Sequence, residues 1–184
     1  MPRNRSSATL PHLAREEANA VRLYLQYKGY HWNVAGPLFH DLHRLFDEHA
    51  QEIFETIDPL AERQRMLGQR APYAMEDLAA AATLPPEPGP PTNLRQMIDR
   101  LLDAHRRVIE GMREGFRAAE AEGDPGTSDL FARFVQIHEK MAWILRELTV
   151  PSPSLPELGA PMVVLSGGLP PGVSSHPSPP SSGR

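Results

Sequence analysis

Proline lacks a backbone donor and breaks helix interiors, so its placement decides where long helices can form. In this chain of 184 residues, fourteen of the twenty prolines are confined to two places: five lie between Pro85 and Pro91, and nine in the last 34 residues. Between residues 13 and 150, apart from that loop, apolar residues recur at helical spacing. The first segment runs from about Leu13 to Val34 and ends at Gly36-Pro37. The second runs from about Phe39 to Leu67 and is closed by Gly68; Pro59 inside it removes one ladder bond and predicts a kink. A short helix, about Met75 to Thr83, precedes the proline-rich loop. The third long segment follows Thr92 as N-cap and runs to about Glu122, and the fourth follows Thr127 or Ser128 and stops before Pro151. No strand pattern competes with this one.

Four helices with a long excursion after the second predict an all-α, ferritin-like four-helix bundle whose one long crossover carries a short extra helix. Residues 13–150 form this domain, 1–12 a flexible N-terminal segment, and 151–184 a flexible tail. In that tail 22 of 34 residues are Pro, Ser or Gly, with one apolar island at Met162-Val-Val-Leu165. The start of the chain leads into no apolar run, and no run reaches the length of a membrane span, so a soluble cytoplasmic protein with no membrane partner is expected.

Absence of cysteine rules out disulfides, thiolate metal sites and a cysteine nucleophile, so any metal must be held by nitrogen and oxygen. The net charge of −4 argues against a domain built to coat nucleic acid. The acidity belongs to the bundle, because residues 13–150 carry 16 basic and 22 acidic side chains.

The second helix carries two pairs spaced four apart, His43 with Asp47 and Asp58 with Glu62, each able to grip one cation. From Asp47 to Asp58 the chain turns through about 1100°, near a whole number of turns, so all four residues share one stripe. The same eleven residues rise about 16 Å, far beyond the roughly 2 Å bonds of a first-row metal. One helix therefore cannot bring both pairs to one ion. A second copy running antiparallel would, and a two-fold axis would create the site twice. His31, just before the turn that reverses the chain, is a candidate third ligand. Imidazole with carboxylate suits iron, zinc or manganese alike.

The run Tyr30-His-Trp-Asn-Val-Ala-Gly-Pro37, followed by Phe39, His43, Phe46-Asp-Glu48, Ile57-Asp58 and Ala61-Glu-Arg63, closely resembles the signature of the Dps family of mini-ferritins, the DNA-binding proteins from starved cells. The resemblance covers about residues 13–150. It implies a hollow homododecamer that oxidises Fe(II), with hydrogen peroxide or oxygen, and stores the ferric mineral. It implies ferroxidase centres at two-fold interfaces, with His31, His43 and Asp47 from one subunit and Asp58 and Glu62 from its partner. The Glu-x-x-His pairs of larger di-iron bundles are absent.

The resemblance also gives secondary expectations. Trp32 and Trp143 are candidate electron donors or packing residues, with packing favoured for Trp143, and Met66, a methionine on a bundle helix, is expected as core filler. His138 is an additional candidate ligand that would favour zinc as a competitor, though a core or supporting position suits it better. His40 is expected at the surface, and no partner pattern is evident for His12, His49, His105 or His176. Asp124 and Asp129, in the loop resembling three-fold pores, are candidate iron-attracting carboxylates; Arg133 would weaken that funnel, and Asp129 could instead favour the helix dipole. Only Arg3 and Arg5 supply positive charge near the start, so DNA binding is expected to be weak or absent. A nucleoid-associated DNA-binding protein with minor iron chemistry is the alternative.

Overall fold

The computed structural model describes residues 7–150. Five helices carry them: α1 (Leu10–Asn33), α2 (Phe39–Met66), α3 (Met75–Ala81), α4 (Leu94–Glu122) and α5 (Pro125–Glu147), with no strand among the described residues. Arg3, Arg5, His176, the island at 162–165 and the rest of segment 151–184 lie outside the described residues.

The side-chain pairs give the topology. His31 meets His43 and Glu17 meets Gln64, so α1 and α2 are antiparallel. Arg15 with Glu114 and Tyr27 with His105 make α4 antiparallel to α1, and Gly115 against Phe131 with His105 against His138 makes α5 antiparallel to α4. Thus α2 and α4 point the same way, and residues 67–93 must return the chain along the length of α2, about 42 Å for its 28 residues. This is the crossover of the expected bundle. The core fills the space between the four long helices with Leu23, Tyr27, Phe46, Ile53, Leu60, Met97, Leu101, Met112, Phe131 and Leu145, all essentially inaccessible to solvent. Burying each large apolar side chain contributes about 1.5–3 kcal/mol.

Several helix ends differ from the sequence-based expectation. Helix α1 begins at Leu10 because Glu122, at the end of α4, accepts hydrogen bonds from Ser7 Oγ, the Ala8 amide and Thr9 Oγ1 at 2.5–2.6 Å. Residues 7–12 are therefore fixed to the bundle. Asn93, not Thr92, caps α4: its side chain accepts from the Gln96 amide at 2.8 Å. Helix α5 starts at Pro125, with Asp124 as the cap. Gly123, at φ 69°, ends α4, and the Asp124 amide donates back to the Ala119 carbonyl at 2.9 Å. The two helices share one turn, which is why α5 begins earlier than Thr127. Helix α2 continues through Pro59 without a break.

Candidate metal centre

The turn between α1 and α2 places the first two candidate ligands. Gly36 adopts φ 105°, a backbone conformation that other residues avoid, and the chain reverses within five residues. His31 and His43 are thereby stacked, with ring centroids 3.7 Å apart and planes 21° apart. Each supports the other. His31 Nδ1 lies 2.7 Å from the His43 carbonyl oxygen, and His43 Nδ1 lies 2.8 Å from the His31 carbonyl oxygen. A carbonyl can only accept, so Nδ1 carries the proton in both rings. In the neutral imidazole the lone pair then sits on Nε2, ready for a metal, and the outer hydrogen bond fixes both tautomer and orientation.

Asp47 follows one turn after His43 with its side chain about half exposed. Lys28 Nζ donates to its Oδ1 at 2.6 Å. That bond, together with the positive field of Lys28, holds the Asp47 carboxyl below the usual range. Sequence reasoning missed Lys28; its position three residues before His31 on α1 was the available signal. Its ammonium also sits 5.9 Å above the ring of Trp32, which is 65% exposed.

Asp58 and Glu62 lie farther along α2, exposed. No group of three or more His, Asp or Glu side chains within the described residues of one chain is placed to hold a metal ion. One protomer thus pairs His31 with His43, has Asp47 bonded to Lys28 one turn further along α2, and leaves Asp58 and Glu62 at the other end of the stripe. Phe54, one turn before Asp58, is an exposed apolar side chain beside that stripe, and Leu25 and Trp32 of α1 and Phe39 and Met66 of α2 are exposed as well.

His138 takes the core position that suited it better, while other placements depart from expectation. His138 is fully buried, with its Nδ1 2.9 Å from His105 Nδ1 in the bundle core, so it is no neighbour of His31 and His43. Met66 is 70% and Trp143 55% exposed, so neither is a core residue. His40 is on the surface, as expected. Asp124 does not project openly: Arg63 donates to its Oδ1 at 2.5 Å, and the Thr127 amide and hydroxyl donate at 3.1 and 2.5 Å. These bonds hold its carboxyl below the usual range against the opposing effect of burial. Asp124 is the cap of α5, whereas Asp129 sits on the second turn, exposed and paired with Arg133 at 3.1 Å. Among the described residues no helix is long and apolar enough to cross a membrane.

A family model described as a ferritin-like domain matches residues 11–150. DNA protection during starvation protein 1 of Deinococcus radiodurans is 34% identical over 136 residues, which span 74% of this chain and 66% of that protein. The crystal structure of Dps from Thermosynechococcus elongatus superposes with a TM-score of 0.77 at 43% identity, covering 80% of this chain and 93% of the other. Dps from Vibrio cholerae, described as a member of a broad superfamily of ferritin-like diiron-carboxylate proteins, gives a TM-score of 0.72 at 28% identity over 76% of this chain and 87% of its own.

Proposed function

The chain belongs to the Dps family of ferritin-like proteins, and on that premise we propose that it oxidises Fe(II) with hydrogen peroxide or oxygen and stores the product inside a homododecameric cage. The reaction centre is shared: His31, His43 and Asp47 of one subunit face Asp58 and Glu62 of its two-fold partner. One observation carries this reading. Two imidazoles with their lone pairs fixed outward stand one turn from an ionised carboxylate in one protomer, while the remaining carboxylates of the same stripe lie too far along α2 to join them. The exposed apolar residues of α1 and α2 supply the surface that a second copy would cover.

Anionic oxygen ligands favour Fe(III) over Fe(II) and so lower the barrier to oxidation. Two Fe(II) ions together deliver two electrons to one peroxide, which avoids its one-electron cleavage to hydroxyl radical. Zinc uses the same donors and is expected to compete. Iron entry at the three-fold loops rests on Asp129, since Asp124 is already bonded within its own chain. Trp32 stands beside the centre as an oxidisable surface residue. DNA binding is weak or absent at physiological salt, and the protein works in the cytoplasm.

The test is anaerobic Fe(II) loading followed by peroxide, with ferric absorbance recorded for wild type, Asp58→Asn/Glu62→Gln and His31→Ala/His43→Ala. Both double variants should lose the fast phase while keeping their oligomeric size. Co-assembly of the two variants should restore part of it, because a mixed pair rebuilds one complete site. Fast oxidation by either variant alone, at the wild-type rate, would refute the shared centre.

A further inference from the structure

Each of the four long helices contributes one polar aromatic side chain to a buried row that the metal centre does not use. Tyr27 of α1 has its hydroxyl 2.6 Å from His105 Nε2 of α4 and 3.1 Å from His49 Nδ1 of α2. His105 Nδ1 continues the row to His138 Nδ1 of α5 at 2.9 Å. All four residues are buried, and at either end the Nε2 atoms of His49 and His138 have no partner among the described residues.

Burial, the dominant cause for each, pushes His138 down to about 4, His105 well below the usual imidazole value, and the Tyr27 phenol well up. The row is therefore neutral. A neutral imidazole carries one N–H and a phenol one O–H, so three links can be satisfied in only two registers. In one, His49 donates to Tyr27, Tyr27 to His105 and His105 to His138. In the other every bond is reversed, and Tyr27 donates to His49. In both registers the phenol proton already points at an unprotonated imidazole nitrogen.

We propose that Tyr27 is a buried one-electron donor whose phenolic proton passes to the hydrogen-bonded imidazole as the electron leaves. The donor role rests on the ferroxidase reading for its iron and peroxide, and it acts where a centre holds one Fe(II) instead of two. When a single Fe(II) cleaves peroxide, it yields Fe(III), hydroxide and a hydroxyl radical. The radical takes one electron from Tyr27 and becomes hydroxide; the proton moves to His105 or His49, leaving a neutral phenoxyl radical beside an imidazolium. A second Fe(II) returns the electron, and the proton moves back to the phenol oxygen. The sum is two Fe(II) and one peroxide giving two Fe(III) and two hydroxides, with Tyr27 unchanged.

Location and surroundings suit this role. Tyr27 lies one turn before His31 on α1, about 6 Å along the axis, and its ring meets Phe46 edge-on at 6.1 Å. An apolar core cannot host a charged phenol cation, so a base within hydrogen-bond reach is the condition for oxidation there. Tyr30 is the natural control. Its ring is buried too, but its hydroxyl donates to the Glu87 carboxylate at 2.8 Å and not to an imidazole.

The test uses assembled protein, freeze-quenched for electron paramagnetic resonance after limiting Fe(II) and peroxide, with ferric absorbance read on the same samples. A second arm oxidises iron-free protein with photogenerated ruthenium tris-bipyridine and persulfate. Wild type and Tyr30→Phe should show a tyrosyl signal in both arms, and Tyr27→Phe should lose it. A ring-fluorinated tyrosine at position 27 keeps the hydroxyl and should split the signal, which separates loss of the donor from damage to the core. An unchanged signal in Tyr27→Phe, or no tyrosyl signal in iron-free wild type, overturns the proposal. Failure of ferric absorbance to develop in wild type overturns the ferroxidase reading instead, while the iron-free arm still decides the role of Tyr27.

Discussion

Mild acid should destabilise this bundle through its buried histidines, and His138→Phe isolates the effect. His138 has its folded value pushed down from 6.5 to about 4 by burial. A depressed histidine binds its proton more readily in the unfolded chain, so folding stability is full above about pH 6.5 and falls as pH drops toward 4. Between about pH 7.5 and pH 5 one such histidine removes about 2 kcal/mol. His49 and His105 shift in the same direction, with Lys140 adding to the depression of His49 and the two neighbouring histidines to that of His105.

Glu16 and Glu17 act oppositely. Burial raises both, so their stabilising contribution is present at low pH and is lost as pH rises through their folded values. The wild-type pH profile is therefore a net of opposing effects, and the difference between two proteins is the cleaner readout. His138→Phe should cost about 1–3 kcal/mol at neutral pH, because His105 loses its partner for Nδ1. The further loss between about pH 7.5 and pH 5 should then shrink by about 2 kcal/mol relative to wild type. Urea unfolding followed by circular dichroism, at one subunit concentration, measures both. A variant that loses as much stability on acidification as wild type refutes a neutral His138 in the core.

Three more predictions follow from particular contacts. In Gly115→Ala the new Cβ would meet the buried Phe131 ring at 2.6 and 2.7 Å, so thermal unfolding should show destabilisation of about 1–3 kcal/mol despite alanine's better helix propensity. Glu122 has its carboxyl pulled down to about 2, chiefly by Ser7 and then Thr9. Its hold on residues 7–9 is thus present above the ordinary value of 4.5 and is lost as pH falls toward 2. Glu122→Gln should speed hydrogen exchange at the start of α1 at neutral pH, and unchanged protection there would contradict the contact. Lys28→Met removes the cation competing for Asp47 and should tighten anaerobic Fe(II) or zinc binding by up to about fivefold, measured by calorimetry.

Residue-level expectations fared differently according to the range of the interaction that decided them. The long helices were legible because the confined prolines left uninterrupted apolar repeats between residues 13 and 150, and because Gly36, Gly68 and Gly123 terminate helices by local backbone geometry. Met66 and Trp143 were misplaced because apolarity alone says a side chain prefers burial, not whether a partner element reaches it. The caps of α4 and α5 slipped by one to four residues because Thr92, Asn93, Asp124, Thr127 and Ser128 are all competent caps; Arg63, arriving from α2, helps fix Asp124 as the one used.

By itself the sequence determined the helices, the crossover and the stripe of His43, Asp47, Asp58 and Glu62, because each depends on spacing along one element. It also determined, through the 1.5 Å rise of a helix, that this stripe could not close on one ion within a single chain. Only the tertiary structure decided which imidazole nitrogens face outward, because those protons are fixed by carbonyls twelve residues away. Only packing joined Tyr27, His49, His105 and His138 into one row, since their contacts cross four helices and leave no periodic trace in the chain.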